Sequence, residues 1–125
     1  MAVVDDEDAI RKALKRLLRS AGMNVHTYAS GTEFLQSLTA HRPDCAVLDI
    51  RMPGMTGLDV QARLRADDVA LPIIFITALD DPGDGERAMQ AGAFAFLRKP
   101  FGDEELLDAI GAAISSTQVP AMKRP

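Results

Sequence analysis

Five short apolar runs, each followed by a stretch with helical character, limit what this chain can fold into more than any other feature. The runs are Met1–Val4, Met23–Tyr28, Cys45–Leu48, Ile73–Thr77 and Phe94–Leu97, and most are rich in Val, Ile or Phe, as buried strands are. After the first, Ile10, Leu14, Leu17 and Ala21 form one apolar stripe at helical spacing, and Gly22 is placed to end that helix. Ser30 and Glu33 have capping-box spacing, and Thr56 can cap a helix through about Leu64. "LDDPGDGERAMQAG" is the weakest of the helical stretches: Pro82, Gly83 and Gly85 leave only Glu86–Ala91 as a helix. Asp103, Glu104 and Glu105 make an acidic first turn before Leu106, Leu107, Ile110 and Ile114. Strand–helix alternation of this kind predicts a single α/β domain, a parallel sheet covered on both faces and joined by right-handed crossovers. The domain is expected to end near residue 116, with 117–125 a disordered tail or the start of a linker.

Composition narrows the function by exclusion. At 125 residues the chain suits one domain. A net charge of −4 and a pI near 5.0 make it a poor binder of nucleic acid by itself. No apolar stretch has the length of a membrane span, and the start lacks the order of a signal peptide, so a cytoplasmic protein is expected. Cys45, a lone cysteine with apolar neighbours, reads as a small core residue.

In a doubly wound sheet, functional groups gather beyond the carboxyl ends of the strands. Those ends carry Asp5-Asp6, Asp49, Thr77-Ala78 and Lys99-Pro100. Three carboxylates at one edge repel each other unless a cation joins them. Hard oxygen donors in an open, wet cleft favour Mg²⁺. A carboxylate, a divalent metal, a hydroxyl and a lysine together suit phosphoryl transfer, with the metal and Lys99 neutralising the phosphoryl oxygens. Asp49 is the expected nucleophile, because its strand is central and the Met-Pro-Gly turn behind it holds the backbone clear. Taken singly, each residue has a plainer reading. Asp6 could be the N-cap of an acidic first turn, Thr77 a strand end, and Lys99 a solvated lysine. Phe94, Phe96 and Phe101 could be core. Arg11, Lys12, Lys15, Arg16 and Arg19 read as a solvated basic face, and His26 and His41 are assigned no role.

Together, "VVDDED", "LDIRMPGMTGLD", "PIIFITA" and "AGAFAFLRKPF" resemble the receiver domain of bacterial two-component response regulators over about residues 1–115. The wording is most similar to the FixJ-like branch, whose members usually carry a LuxR-type DNA-binding domain after the receiver. The resemblance implies a flavodoxin-like (βα)5 fold with strand order 2-1-3-4-5. It implies a signalling switch, not an enzyme with turnover, that takes a phosphoryl group from a sensor histidine kinase onto Asp49. Asp6, Asp49 and the Arg51 carbonyl would bind Mg²⁺ directly and Asp5 through water. Thr77 and Lys99 would hold phosphoryl oxygens, Ala78 would leave room for the donor, Phe96 would swing inward as Thr77 moves, and Lys99-Pro100 would be cis, which proline permits. The face of the fourth helix, fifth strand and fifth helix would control an output domain or a homodimer formed on phosphorylation. DNA would be reached only through an output domain absent from this chain.

Two departures stand against that pattern. The first strand has only four residues before the acidic pair, and Leu79–Glu86 carries charge and glycine where FixJ-like receivers have apolar residues that pack the fourth helix. That helix is therefore expected to be short or mobile. Two other classes fit less well. A haloacid-dehalogenase-type phosphohydrolase needs a general acid two residues after the nucleophile, where this chain has Arg51. A flavodoxin-like nucleotide binder needs a Gly/Ser/Thr phosphate loop after the first strand, where this chain has Asp-Asp-Glu-Asp.

Overall fold

A computed structural model describes residues 1–77 and 83–123, with side chains through residue 116. Its strands are β1 (Ala2–Val4), β2 (His26–Tyr28), β3 (Ala46–Asp49), β4 (Ile73–Thr77) and β5 (Ala95–Arg98). The helices are α1 (Asp8–Ser20), α2 (Gly31–Ser37), α3 (Gly57–Ala66), α4 (Asp84–Gln90) and α5 (Asp103–Lys123). All strand pairs are parallel, in the order β2-β1-β3-β4-β5, so the expected doubly wound sheet is present.

Period-two alternation along each strand sorts the core into two halves. Val3, Val47, Ile74, Ile76 and Leu97 face one side and pack with Leu14 and Leu18 of α1 and Leu106, Ile110 and Ala113 of α5. Ala2, Val4, Ala46, Leu48, Ile73 and Phe75 face the other, against Phe34 of α2, Val60 and Leu64 of α3 and Ala88 of α4. Central strands buried on both faces explain why the runs read as continuous apolar segments. Cys45 is buried in the first half, and burial pushes its thiol up to about 12, so it behaves as a small core residue.

Local signals set most helix starts. Ser30 accepts from the Glu33 N–H at 3.1 Å, and Thr56 with Asp59 forms a reciprocal capping box. Several details correct the sequence reading. The N-cap of α1 is Glu7, not Asp6, and it makes no side-chain cap bond. The stripe on α1 is deepest at Leu14 and Leu18, because Ala21 lies past the last turn and is exposed. The ladder of β2 begins at His26, where it meets Ala2, so Met23–Val25 precede the strand. The fourth helix begins at Asp84, two residues earlier than expected, because Gly83 takes a left-handed conformation (φ 83°) and turns the chain into it. β5 is shifted one residue, to end on Arg98. Of the stretch expected to be a tail, residues 117–123 carry the helical backbone of α5, and 124–125 lie outside the described residues.

Gly57 fixes how α3 meets the end of β3. Its N–H donates to the Ile50 carbonyl at 2.9 Å, and a Cβ there would lie 2.5 Å from the Asp49 carbonyl oxygen and 2.9 Å from the Phe75 ring. Only a glycine lets the helix close the loop this tightly. Gly57→Ala should therefore destabilise by about 1–3 kcal/mol, the usual cost of overpacking. Gly111→Ala, exposed on α5 with nothing within 4 Å of the added methyl, should instead stabilise by about 0.5–1 kcal/mol. Urea unfolding of both variants checks the contrast; equal effects would show that the Gly57 contact yields freely.

Candidate functional site

Register decides which side chains meet. Val4 is level with Leu48, so the next residues, Asp5 and Asp49, leave neighbouring strands side by side. Asp49 is level with Ile76, Thr77 is level with Arg98, and the Lys99 N–H donates to the Thr77 carbonyl at 2.9 Å. The carboxyl edge of the sheet thus gathers Asp5, Asp6, Asp49, Thr77 and Lys99, as the sequence reading expects. The Lys99–Pro100 peptide is cis.

Asp5 and Asp49 are buried, at 1% and 5% exposure, while Asp6 is open to solvent. Carboxylate oxygens from the three lie within 4.8 Å of one another. Some of the charge is answered locally. The Glu7 N–H donates to Asp5 Oδ1 at 2.9 Å, and the Arg51 N–H donates to Asp49 Oδ1 at 3.2 Å. Burial raises the Asp5 carboxyl above its ordinary value, against the Glu7 hydrogen bond and the charge of Lys99. Burial, and then the charge of Asp5, push the Asp49 carboxyl up to about 6, while Lys99 and the Arg51 N–H pull it back.

Two buried side-chain polar atoms among the described residues have no hydrogen-bond partner: Asp5 Oδ2 and Thr77 Oγ1. Buried polar groups are nearly always satisfied, so both atoms have bonding capacity left for a ligand. An unsatisfied carboxylate oxygen beside two further carboxylates fits a hard, oxygen-seeking dication. A buried hydroxyl at the end of the next strand fits an incoming oxygen acceptor.

The remaining expectations divide. The Arg51 guanidinium pairs with Asp84 Oδ2 at 3.3 Å. Phe96 is half-buried, its ring lying where a side chain on Gly85 would stand, under the Arg98 guanidinium at 5.6 Å. Ala78 lies outside the described residues. His26 and His41, given no role, face each other with ring centres 5.0 Å apart. Sequence reading missed Gly57 and Asp84. The Asp84–Arg87 spacing of i,i+3 was a signal for the second; no local pattern announces the close approach at the first.

Residues 1–111 match the response regulator receiver domain, and the chain belongs to that family. It is 47% identical over 111 residues to nodulation protein W of Bradyrhizobium diazoefficiens, covering 89% of this chain and 49% of that one. It is 43% identical over 112 residues to the response regulator protein TodT of Pseudomonas putida, covering 90% of this chain and 49% of that one. Among solved structures, a response regulator receiver protein from Burkholderia phymatum superposes with a TM-score of 0.82 at 49% identity, over 91% of this chain and 93% of that one. Full-length FixJ from B. japonicum gives 0.90 at 36% identity, over 97% of this chain and 60% of that one. These likenesses agree with the FixJ-like branch. The chain spans about half the length of the relatives nodulation protein W and TodT. Among the described residues no helix is long and apolar enough to cross a membrane.

The raised Asp49 carboxyl has a measurable sign. A group that moves from 3.8 to about 6 on folding holds its proton more tightly in the fold. Its contribution to stability is complete below 3.8 and is lost as pH rises through about 6. Asp49→Asn removes that dependence. In EDTA, urea unfolding should show the variant gaining on the parent by about 1–2 kcal/mol between about pH 4 and about pH 7, allowing for solvent screening in the open cleft. A difference that stays flat would mean Asp49 is well hydrated.

Proposed function

We propose that residues 1–116 form a cytoplasmic receiver that takes a phosphoryl group onto Asp49 from the phosphohistidine of a sensor histidine kinase, with Mg²⁺ as its metal. The observation that carries this reading is the meeting of buried Asp49 with Asp5, Asp6 and two unsatisfied buried atoms, Asp5 Oδ2 and Thr77 Oγ1. Asp6, Asp49 and the Arg51 carbonyl are assigned as direct metal ligands, with Asp5 acting through water. When bound, Mg²⁺ would supply the positive charge that lets three carboxylates and a phosphoryl group share one cleft.

An ionised Asp49 oxygen attacks phosphorus as the phosphorus–nitrogen bond to the histidine breaks, leaving the imidazole with the bonding pair. The rigid end of β3, held by Gly57 behind it, aims that oxygen. Lys99, whose charge already acts on both Asp5 and Asp49, pairs with a phosphoryl oxygen. Thr77 donates its hydroxyl to another and so gains the partner it lacks. Ala78 leaves space for the donor, and Pro100 follows Lys99 in the switch segment. Movement of Thr77 and Phe96 then alters the face of α4, β5 and α5, which controls an output domain or a second copy of the chain. DNA binding, in this reading, belongs to an output domain outside this chain. Arg51 stands where a phosphohydrolase of similar fold would need its acid, so the phosphoaspartate persists long enough to signal.

Incubation with acetyl phosphate and Mg²⁺, followed by intact mass measurement, tests the assignment. One phosphoryl adduct is expected, lost in EDTA and abolished in Asp49→Asn with the fold intact. Labelling retained in Asp49→Asn would overturn the nucleophile. Lys99→Ala should keep Mg²⁺ binding but lose the conformational response to phosphorylation; an unaltered response would make Lys99 a surface charge only.

A further inference from the structure

Asp84 is a charged residue buried at the first position of α4, at 7% exposure, in the stretch whose charge and glycine are expected to weaken that helix. It holds two arginines. Arg87 Nη1 meets Asp84 Oδ1 at 2.6 Å from one turn along the same helix, and Arg51 Nη2 meets Asp84 Oδ2 at 3.3 Å from across the cleft. Arg51 lies two residues after Asp49 and bonds its carboxylate through the backbone N–H. A short line of polar contacts therefore runs from Asp49 through Arg51 to the start of α4, without using Thr77 or β5.

The other end of α4 is fastened elsewhere. Buried Gln61 donates to the Ala88 carbonyl at 3.0 Å, and Arg65 donates to the Ala91 carbonyl at 3.0 Å, both from α3. The helix is thus pinned to α3 at its C-terminal end, and its N-terminal end is tied across the cleft through Asp84. The two ties on Asp84 differ in kind. Arg87 is on α4 itself and goes wherever the helix goes. Arg51 joins the helix to the loop of the phosphoacceptor, and its side chain is two-thirds exposed. If Arg51 leaves, Asp84 remains neutralised by Arg87, so the exchange does not strand a buried charge.

We infer that the Arg51–Asp84 ion pair is a latch on α4 and that a phosphoryl group on Asp49 opens it by competing for Arg51. Arg51 and Asp84 are positioning residues in this scheme. A phosphoryl group brings close to two negative charges and three strong acceptors within reach of the loop that carries Arg51. It competes with a carboxylate that keeps the Arg87 guanidinium when Arg51 leaves. The inference rests on the receiver reading above, and one experiment separates the two.

The full chain is treated with acetyl phosphate and Mg²⁺, its adduct is quantified by intact mass, and amide hydrogen exchange is followed in peptides covering α4. Phosphorylation should speed exchange at the start of α4 by roughly three- to tenfold, as loss of a partly buried ion pair would. Arg51→Ala, an exposed substitution, and Asp84→Asn should each show that faster exchange without phosphorylation and little further change with it. Asp84→Glu should restore slow exchange and the response. Arg87→Ala should blunt the response, since it removes the cation that holds buried Asp84 when Arg51 leaves. An adduct formed with no change at α4, or Arg51→Ala behaving as the parent, would overturn the latch and leave the receiver reading standing. Failure of the parent to form an adduct would overturn the receiver reading and the exchange of partners with it.

Discussion

Two carboxylates on adjacent parallel strands cannot avoid each other, and the rest of this molecule is arranged around that fact. With Val4 level with Leu48, Asp5 and Asp49 emerge together at the end of the sheet, and Asp6 joins them from the loop. In a buried setting such charges repel by several kcal/mol more than in water. The fold offers only partial relief: single N–H donors from Glu7 and Arg51, and the charge of Lys99 from the end of β5. What keeps the group together is the core on both faces of the sheet, where Val3, Val47, Ile74 and Phe75 are almost fully excluded from solvent. Apolar burial thus holds acidic groups in an arrangement that a proton or other positive charge would relieve. Folding and the protonation of this edge are coupled through one electrostatic deficit.

That coupling also explains which parts of the molecule were legible in the sequence. Strands buried on both faces need unbroken apolar runs, so β1, β3 and β4 stand out, and the polar residues that end them mark the edge where chemistry collects. Asp5, Asp6, Asp49, Thr77 and Lys99 could be placed at that edge because topology carries them there, whatever their side chains touch. Capping residues made the starts of α2 and α3 readable for a similarly local reason. Gly57 was not legible. Its importance lies in the Asp49 carbonyl and the Phe75 ring arriving from two other strands, and nothing in "MTGLD" states that they do.

The segment leading into α4 resisted reading for a different reason. Gly83 and Gly85 count against a helix by propensity, yet each has a particular use. Gly83 turns the chain through a left-handed conformation, and Gly85 leaves the space that the Phe96 ring occupies. Asp84 between them looks like a surface acid in sequence and becomes a buried one in the fold, because arginines from two directions enclose it. Propensity scales describe what a segment does alone. Here the neighbours decide.

Two structures therefore bear on the start of α4: an aromatic ring from β5 packed at Gly85, and an arginine from the loop after β3 bound at Asp84. The first depends on shape and the second on charge, and they reach adjacent residues of the same first turn. A helix of seven residues, with its far end bonded to α3 through Gln61 and Arg65, has little freedom except at that turn. Small changes at either contact are thus concentrated where the helix can yield. An ion pair can be exchanged for another while a packed side chain cannot, so the contacts at Asp84 and at Gly85 answer to different changes. The charge that blurs α4 in the sequence gives its first turn two arginine contacts in the fold.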